Sequence, residues 1–406
     1  MQLKAWLMTL LLSLLLIACG ESELPPLATG GIGGTGISSG PITGFGSIIV
    51  NGVKYDIAQA TLLRNGQLAA GQFEYRIGEY VTVQGHVNAD GLTGTAQEVS
   101  FNKELEGIVT SITTDNVHIG IMGQVVRTNA LTVFHGFKQL GDLELGNVVE
   151  VSGVRDVQDQ LLASSITLKQ SVYVPGGTLD LKGFVKQLNT ANKTFQLGSV
   201  NVLYGQATLT NFGNQPLTNG QYVEVKTRQL PQGNGLVAYE VELGDRYVAP
   251  FTTGSTVELE GIVTRFVSRQ DFSVNRQAII TTANTRFKDG AAATLSLNAL
   301  VEVKGVINAL GVLVADKIEV KESASSKLVK LKGRVSNLEP DTQTLMVAGQ
   351  TVVTDNFTQW EDDSRYRQPQ MGFRYLHIGD YLELQVKPLA SGKVLALRVQ
   401  REDEDD

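Results

Sequence analysis

Cysteine is almost missing from this chain: Cys19 is the only one in 406 residues. An intramolecular disulfide is therefore excluded, and no cysteine cluster remains for zinc. Histidine is scarce too. His86, His118, His135 and His377 lie far apart, and no pair has the H-x-x-x-H spacing of a helical metal site. Solvated surface positions are expected for all of them, and no metal or other cofactor is implied. Neither a phosphate-binding Walker loop nor an EF-hand loop occurs. Positive charge is in deficit, with 34 Lys and Arg against 41 Asp and Glu, so the basic surface that a nucleic-acid partner wants is lacking. Glycine, by contrast, is abundant at 43 residues, in a chain that is 42% hydrophobic and 18% charged. That composition is globular, and many Val, Ile and Thr punctuated by Gly read as all-β.

At the amino end Lys4 precedes Leu7 to Ile17, an almost unbroken apolar stretch. It falls short of the roughly 20 residues of a bilayer-spanning helix and has the length of a secretory signal core. It closes on Leu16-Ile17-Ala18-Cys19, which resembles the lipobox of bacterial lipoproteins. That resemblance implies a signal peptide over residues 1–18, lipid on Cys19, and a partner in the membrane reached through that lipid. Gly20 follows the cysteine where an Asp would favour inner-membrane retention, so the expected address is the cell envelope, at the outer membrane.

Thr29 to Ser47 reads TGGIGGTGISSGPITGFGS and contains Gly31-Ile32-Gly33-Gly34-Thr35-Gly36, a G-x-G-x-x-G pattern. A dinucleotide fingerprint must follow a buried strand and open a helix, whereas this one follows Glu21-Ser22-Glu23-Leu24-Pro25-Pro26. It reads instead as part of a flexible Gly-rich tether over residues 19–40. Gly36-Ile37-Ser38-Ser39-Gly40 also matches the nucleophile-elbow pattern. Within a tether it has neither the strand nor the helix that an elbow needs, so no catalytic residue is assigned.

Beyond the tether three landmarks recur in fixed order. The first is Glu106-Gly107-Ile108-Val109, Lys182-Gly183-Phe184-Val185, Glu260-Gly261-Ile262-Val263 and Lys332-Gly333-Arg334-Val335, with Thr43-Gly44-Phe45-Gly46 as a degenerate first copy. The second is an alternating strand that begins at Gly78, Gly146, Gly220, Asn298 or Gly379. The third is Ala-x-x-Val/Ile, at Ala96, Ala163, Ala238, Ala315 and Ala396. Between the first two, hairpins are expected around Asn51-Gly52, Met122-Gly123, Gly198-Ser199, Asn275-Arg276 and Ala348-Gly349. Copies two to five close the hairpin with Thr-x-aromatic, as in Thr132/Phe134 and Thr358/Trp360. Three strands, a connection and two strands is the element order of the OB-fold. The expected fold is an all-β tandem array of five small OB-like five-stranded barrels: repeat 1 over 41–101, repeat 2 over 102–172, repeat 3 over 173–248, repeat 4 over 249–324 and repeat 5 over 325–400. An acidic tail over 401–406 would be solvated.

This pattern, with GGIGGTGISSGPITGFGSIIVNGV at Gly30–Val53, resembles the uncharacterised bacterial family known as domain of unknown function 5666. The resemblance covers nearly the whole chain after the signal. It implies a lipoprotein with tandem copies and brings no known activity or catalytic residue.

A Glu recurs in the alternating strand at positions 150, 224, 302 and 383. Period-two alternation puts it outside the barrel, on a face expected to be solvated. The connection in repeat 5 is the longest, 21 residues from Thr358 to Gly379 against 10 to 17 in the other copies. It carries Trp360, Arg365, Tyr366, Arg367, Phe373, Arg374 and Tyr375, types enriched at binding hot spots. These residues are the candidate contact site for a partner, an envelope protein or a polysaccharide; buried aromatics packed on their own barrel would instead make the loop a cover. The expected function is a non-enzymatic scaffold or binding module, with saccharide binding as the alternative should exposed aromatics line a groove between barrels.

Overall fold

The structure, a computed structural model, describes residues 35–115, 117–244, 251–322, 328–389 and 391–404. Cys19 and most of the expected tether lie outside them. In repeat 1 strand one (Thr35–Gly44) pairs antiparallel with strand two (Ile48–Val50), which pairs with strand three (Val53–Asp56). Strand three lies parallel to strand five (Thr93–Phe101), strand five pairs with strand four (Tyr80–Val87), and strand four returns to strand one. The ring order 1-2-3-5-4-1 is that of an OB barrel. The same ring closes in repeat 2, repeat 4 and repeat 5. In repeat 3 strand one is split into Leu179–Phe184 and Lys186–Asn189, and strand five into Gly235–Val237 and Glu240–Leu243. Its hairpin face therefore forms a separate four-stranded sheet.

The landmarks have physical causes. The residue that opens strand four donates its N–H to the carbonyl of Ile42, Val109, Val185, Val263 or Val335. It does so with φ between 64° and 97°, a left-handed backbone that favours Gly and Asn. This bond corrects the register of the first copy. Ile42 is the counterpart of Val109, so Ser39-Gly40-Pro41-Ile42 is the first landmark and not Thr43-Gly44-Phe45-Gly46. The landmark glycine leaves room for the hairpin turn to fold back over strand one: a Cβ on Gly40 would lie 2.3 Å from Asn51 Oδ1, and one on Gly261 would lie 2.2 Å from Asn275 Nδ2. The Thr that closes the hairpin and the Ala of the third landmark prove to be partners. Thr132, Thr285 and Thr358 each donate a hydroxyl to the carbonyl of Ala163, Ala315 or Ala396, at 2.7, 2.6 and 2.9 Å.

Two boundaries differ from expectation. The chain is already strand from Thr35, so residues 35–40 belong to the first barrel and not to the tether. Ser38 is 1% exposed in that strand and accepts a hydrogen bond from Asn51 Nδ2 at 3.0 Å; it sits on no strained turn. At the other end strand five of repeat 5 runs to Glu402, and Arg401 is buried, not solvated.

The repeats are not beads on a string. Strand one of repeat 1 runs parallel to strand one of repeat 4, with Gly36 to Ser39 opposite Thr256 to Leu259. Strand one of repeat 2 pairs antiparallel with strand one of repeat 3 through Leu105 and Glu106. Sheets thus cross repeat boundaries while each repeat keeps its own barrel connectivity.

Candidate functional site

The long loop of repeat 5 packs mainly on its own barrel. Trp360 is 8% exposed in that barrel's core, and Phe373 and Tyr375 pack against the same cluster. Arg365, Arg367 and Arg374 are exposed. Tyr366 is the one outlying aromatic of the loop, 67% exposed beside Arg365 and Arg401. Gln370 and Arg374 approach Gly46 of repeat 1. The packing of Trp360, Phe373 and Tyr375 on their own barrel favours the cover reading of the loop, while Tyr366 and the three arginines stay exposed.

The solvated reading of the recurring Glu fails in two copies, where the side chain is buried among charged partners. Glu150 is buried and accepts from Arg64 of repeat 1 at 2.9 Å, while that guanidinium grips Glu79 in a two-point bond at 2.8 and 2.7 Å. Glu302 is buried against Lys321 at 3.0 Å and Lys317 at 3.3 Å. Glu224 and Glu383 are partly buried and paired with Lys182 and with Lys332. His135 is partly buried too, its Nε2 2.8 Å from the carbonyl of Ile77. His86 and His377 are exposed, and His118 pairs with Asp115.

Repeats 1, 2, 4 and 5 converge on one place. Val154 and Leu162 of repeat 2 meet Ile262 and Leu300 of repeat 4, with Tyr80 of repeat 1 against them. Beside this cluster lies a partly open cavity of about 70 Å³. Pro41, Asn51 and Tyr80 reach it from repeat 1, and Leu131 and Ala163 from repeat 2. Glu260 and Lys321 come from repeat 4, and Phe357 and Gln359 from repeat 5. Tyr80 donates its hydroxyl to the carbonyl of Glu260 at 2.5 Å. Phe357 is the peg of repeat 5. Gly52 packs so closely on its ring that a Cβ there would lie 2.9 Å away, and the ammonium groups of Lys288, Lys317 and Lys321 lie 5.0, 4.6 and 4.2 Å from the ring centre.

Three polar features face this junction without full satisfaction. Asn51 Oδ1 has no partner among the described residues. In repeat 4 the equivalent Asn275 Oδ1 accepts from the N–H of Ile262 at 3.0 Å, but Pro41 replaces that residue in repeat 1 and has no N–H. Gln359 Nε2 is likewise buried without an acceptor. The third is the Glu260 carboxylate, which makes no hydrogen bond or ion pair with any described residue. Burial pushes Glu260 up to about 7; Lys321 opposes the rise, and Glu302 and Glu319 add to it. Burial likewise lifts Glu258 to about 7, with Glu302 adding and Lys304 opposing. Glu319 goes the other way despite its burial: Lys321, Lys288, Lys317 and Lys387 together hold it at about 2.

None of these junction residues was assigned a site role from the sequence. Glu260 was visible only as the opening letter of a landmark, and Phe357 was not singled out at all.

The chain belongs to the family described as Domain of unknown function (DUF5666), which matches it five times, over residues 37–100, 106–167, 182–242, 260–319 and 332–400. No curated protein matches it. Among solved structures, "drosophila Unr CSD456" is 12% identical at a TM-score of 0.14, covering 75% of this chain and 98% of that one. A multidomain protein with nucleic acid binding domains from Streptococcus pneumoniae is 10% identical at a TM-score of 0.14, covering 59% of this chain and 76% of that one. Scores this low carry no argument about function.

Proposed function

We propose that this protein is a non-enzymatic, lipid-anchored scaffold of the bacterial cell envelope, a rigid body of fused barrels held at the membrane through Cys19. The observation that carries the scaffold reading is the seam between repeats 1 and 4, a parallel strand pairing between units far apart in sequence. Together with the Arg64–Glu79–Glu150 bridge between repeats 1 and 2, it fixes the geometry of surfaces that a flexible string would leave variable. Ordered inter-repeat contacts lower the entropic cost of presenting several surfaces at once to a large partner. The anchor rests on Leu16-Ile17-Ala18-Cys19.

Two arms test the reading. Cells fed labelled palmitate should incorporate it into the protein, and Cys19→Ser should lose both label and membrane retention. Retention of the unlabelled variant would contradict the anchor. Crosslinking in intact envelopes should then recover the same partner from wild type and, in lower yield, from Arg64→Met, whose first seam is weakened. Equal recovery from a variant shown to be loosened would contradict the scaffold.

A further inference from the structure

We propose that the cavity where repeats 1, 2, 4 and 5 meet is a binding site for a small organic ammonium ion with a compact apolar body, its charge taken by the Glu260 carboxylate. Much of the wall is apolar: Pro41, Leu131, Val154, Leu162, Leu300 and Leu397 all line it. One water needs roughly 10–15 Å³ of such space. At about 70 Å³ the cavity holds several waters or one ligand body of about five or six heavy atoms.

Glu260 gives the site its sign. Buried carboxylates are normally paired, because taking an unpaired one out of water is costly. Glu260, a half-buried residue, has no hydrogen-bond or ion-pair partner among the described residues, and its neighbours are committed elsewhere. The Tyr80 hydroxyl is spent on the Glu260 backbone carbonyl. The Lys321 ammonium is held by Glu302 at 3.0 Å and Glu319 at 3.5 Å. Glu258, on the same strand, faces Lys304 at 3.6 Å. A ligand ammonium would supply the missing counter-charge. An anionic ligand would meet the like charge of Glu260, with the Lys321 ammonium already held by Glu302 and Glu319. A neutral alcohol would gain one hydrogen bond and no charge pairing. Four repeats contribute to the walls, so the site exists only when they are assembled, and ligand would stabilise the assembly by mass action.

The test uses the full chain and three probes of one shape: cyclopentylamine, cyclopentanol and cyclopentanecarboxylate, titrated calorimetrically at pH 8. The amine should bind at one site, the alcohol at least about tenfold more weakly, and the carboxylate not at all. Glu260→Gln keeps the shape and removes the charge. It should weaken the amine about thirtyfold and leave the alcohol unchanged. In wild type, amine affinity should fall as the pH drops from 8 to 6, because Glu260 takes up a proton; the Gln variant should show no such fall. Leu300→Phe, which fills the cavity from the strand paired with that of Glu260, should remove amine and alcohol binding alike, and it decides the matter if Glu260→Gln does not fold. No saturable amine binding would overturn the proposal and leave a water-filled cavity. Alcohol binding as tight as amine, or undiminished amine binding by the Gln variant, would also overturn it.

Discussion

A single side chain decides much at the junction, and Glu260 is the clearest case. Its carboxyl is lifted to about 7 by burial. An acid raised in the folded state contributes stability that is full below its unfolded value and lost as pH rises through the folded one. Glu258 behaves alike. So does Asp180, which burial and the neighbouring Glu224 lift to about 8 against Lys103. The protein should therefore lose stability between about pH 4.5 and 8, the reverse of a protein held mainly by depressed carboxylates. Glu319, held at about 2, contributes in the opposite sense and is lost only on strong acidification. Glu260→Gln should raise the unfolding free energy read from urea curves at pH 8, by on the order of 2–3 kcal/mol, and change it little at pH 5. A variant less stable than wild type at pH 8 would contradict this reading. Backbone positions are as exacting. Gly305 faces the carbonyl of Val314 so closely that a Cβ would lie 2.0 Å from the oxygen. Gly305→Ala should cost roughly 3 kcal/mol or more, read by the same unfolding curves; a loss below about 1 kcal/mol would show that the strand yields.

At the scale of elements the repeats are joined by buried charge as well as by sheet. Arg64 links Glu79 of its own repeat to Glu150 of the next. Removing one partner of a buried pair leaves uncompensated charge, which costs about 3–5 kcal/mol. Arg64→Met should lower stability by about that much and speed proteolysis between residues 101 and 105. Unchanged cleavage there would mean that the bridge does not hold the seam. All five hairpin turns were legible in the sequence, because turn chemistry is local: Asn51-Gly52 and Asn275-Arg276 both have the paired positive φ that such turns demand. The first landmark was misplaced by four residues because Pro41 disguises it among tether-like glycines. Period-two alternation correctly set Glu150 and Glu302 outside their barrels. It could not say that both are buried, since that depends on tertiary contacts such as that of Arg64 with Glu150. The cavity was illegible for the same reason: its walls come from four repeats, and no local pattern records their meeting.

On the scale of the whole molecule, five copies of one barrel make a body in which chain order is not neighbour order. Repeat 1 touches repeat 4 by strand pairing and repeat 5 through Gly52 and Phe357. Repeat 2 reaches repeat 5 through Arg398, which donates to the carbonyl of Thr132 at 3.1 Å. Repeat 3 stands apart in connectivity, paired with repeat 2 through strand one and with a hairpin face of its own. Such a body keeps its surfaces in fixed relation, which is the property a scaffold needs, and it creates a cavity that no single repeat contains. The pairing of Gly36 with Thr256 tests this account most directly. In a Cys19→Ser background, Gly36→Cys combined with Thr256→Cys should oxidise to a disulfide within one chain, seen by mass spectrometry as a single bridged peptide pair. Failure to bridge in the folded protein, or bridging only between chains, would contradict the single fused body.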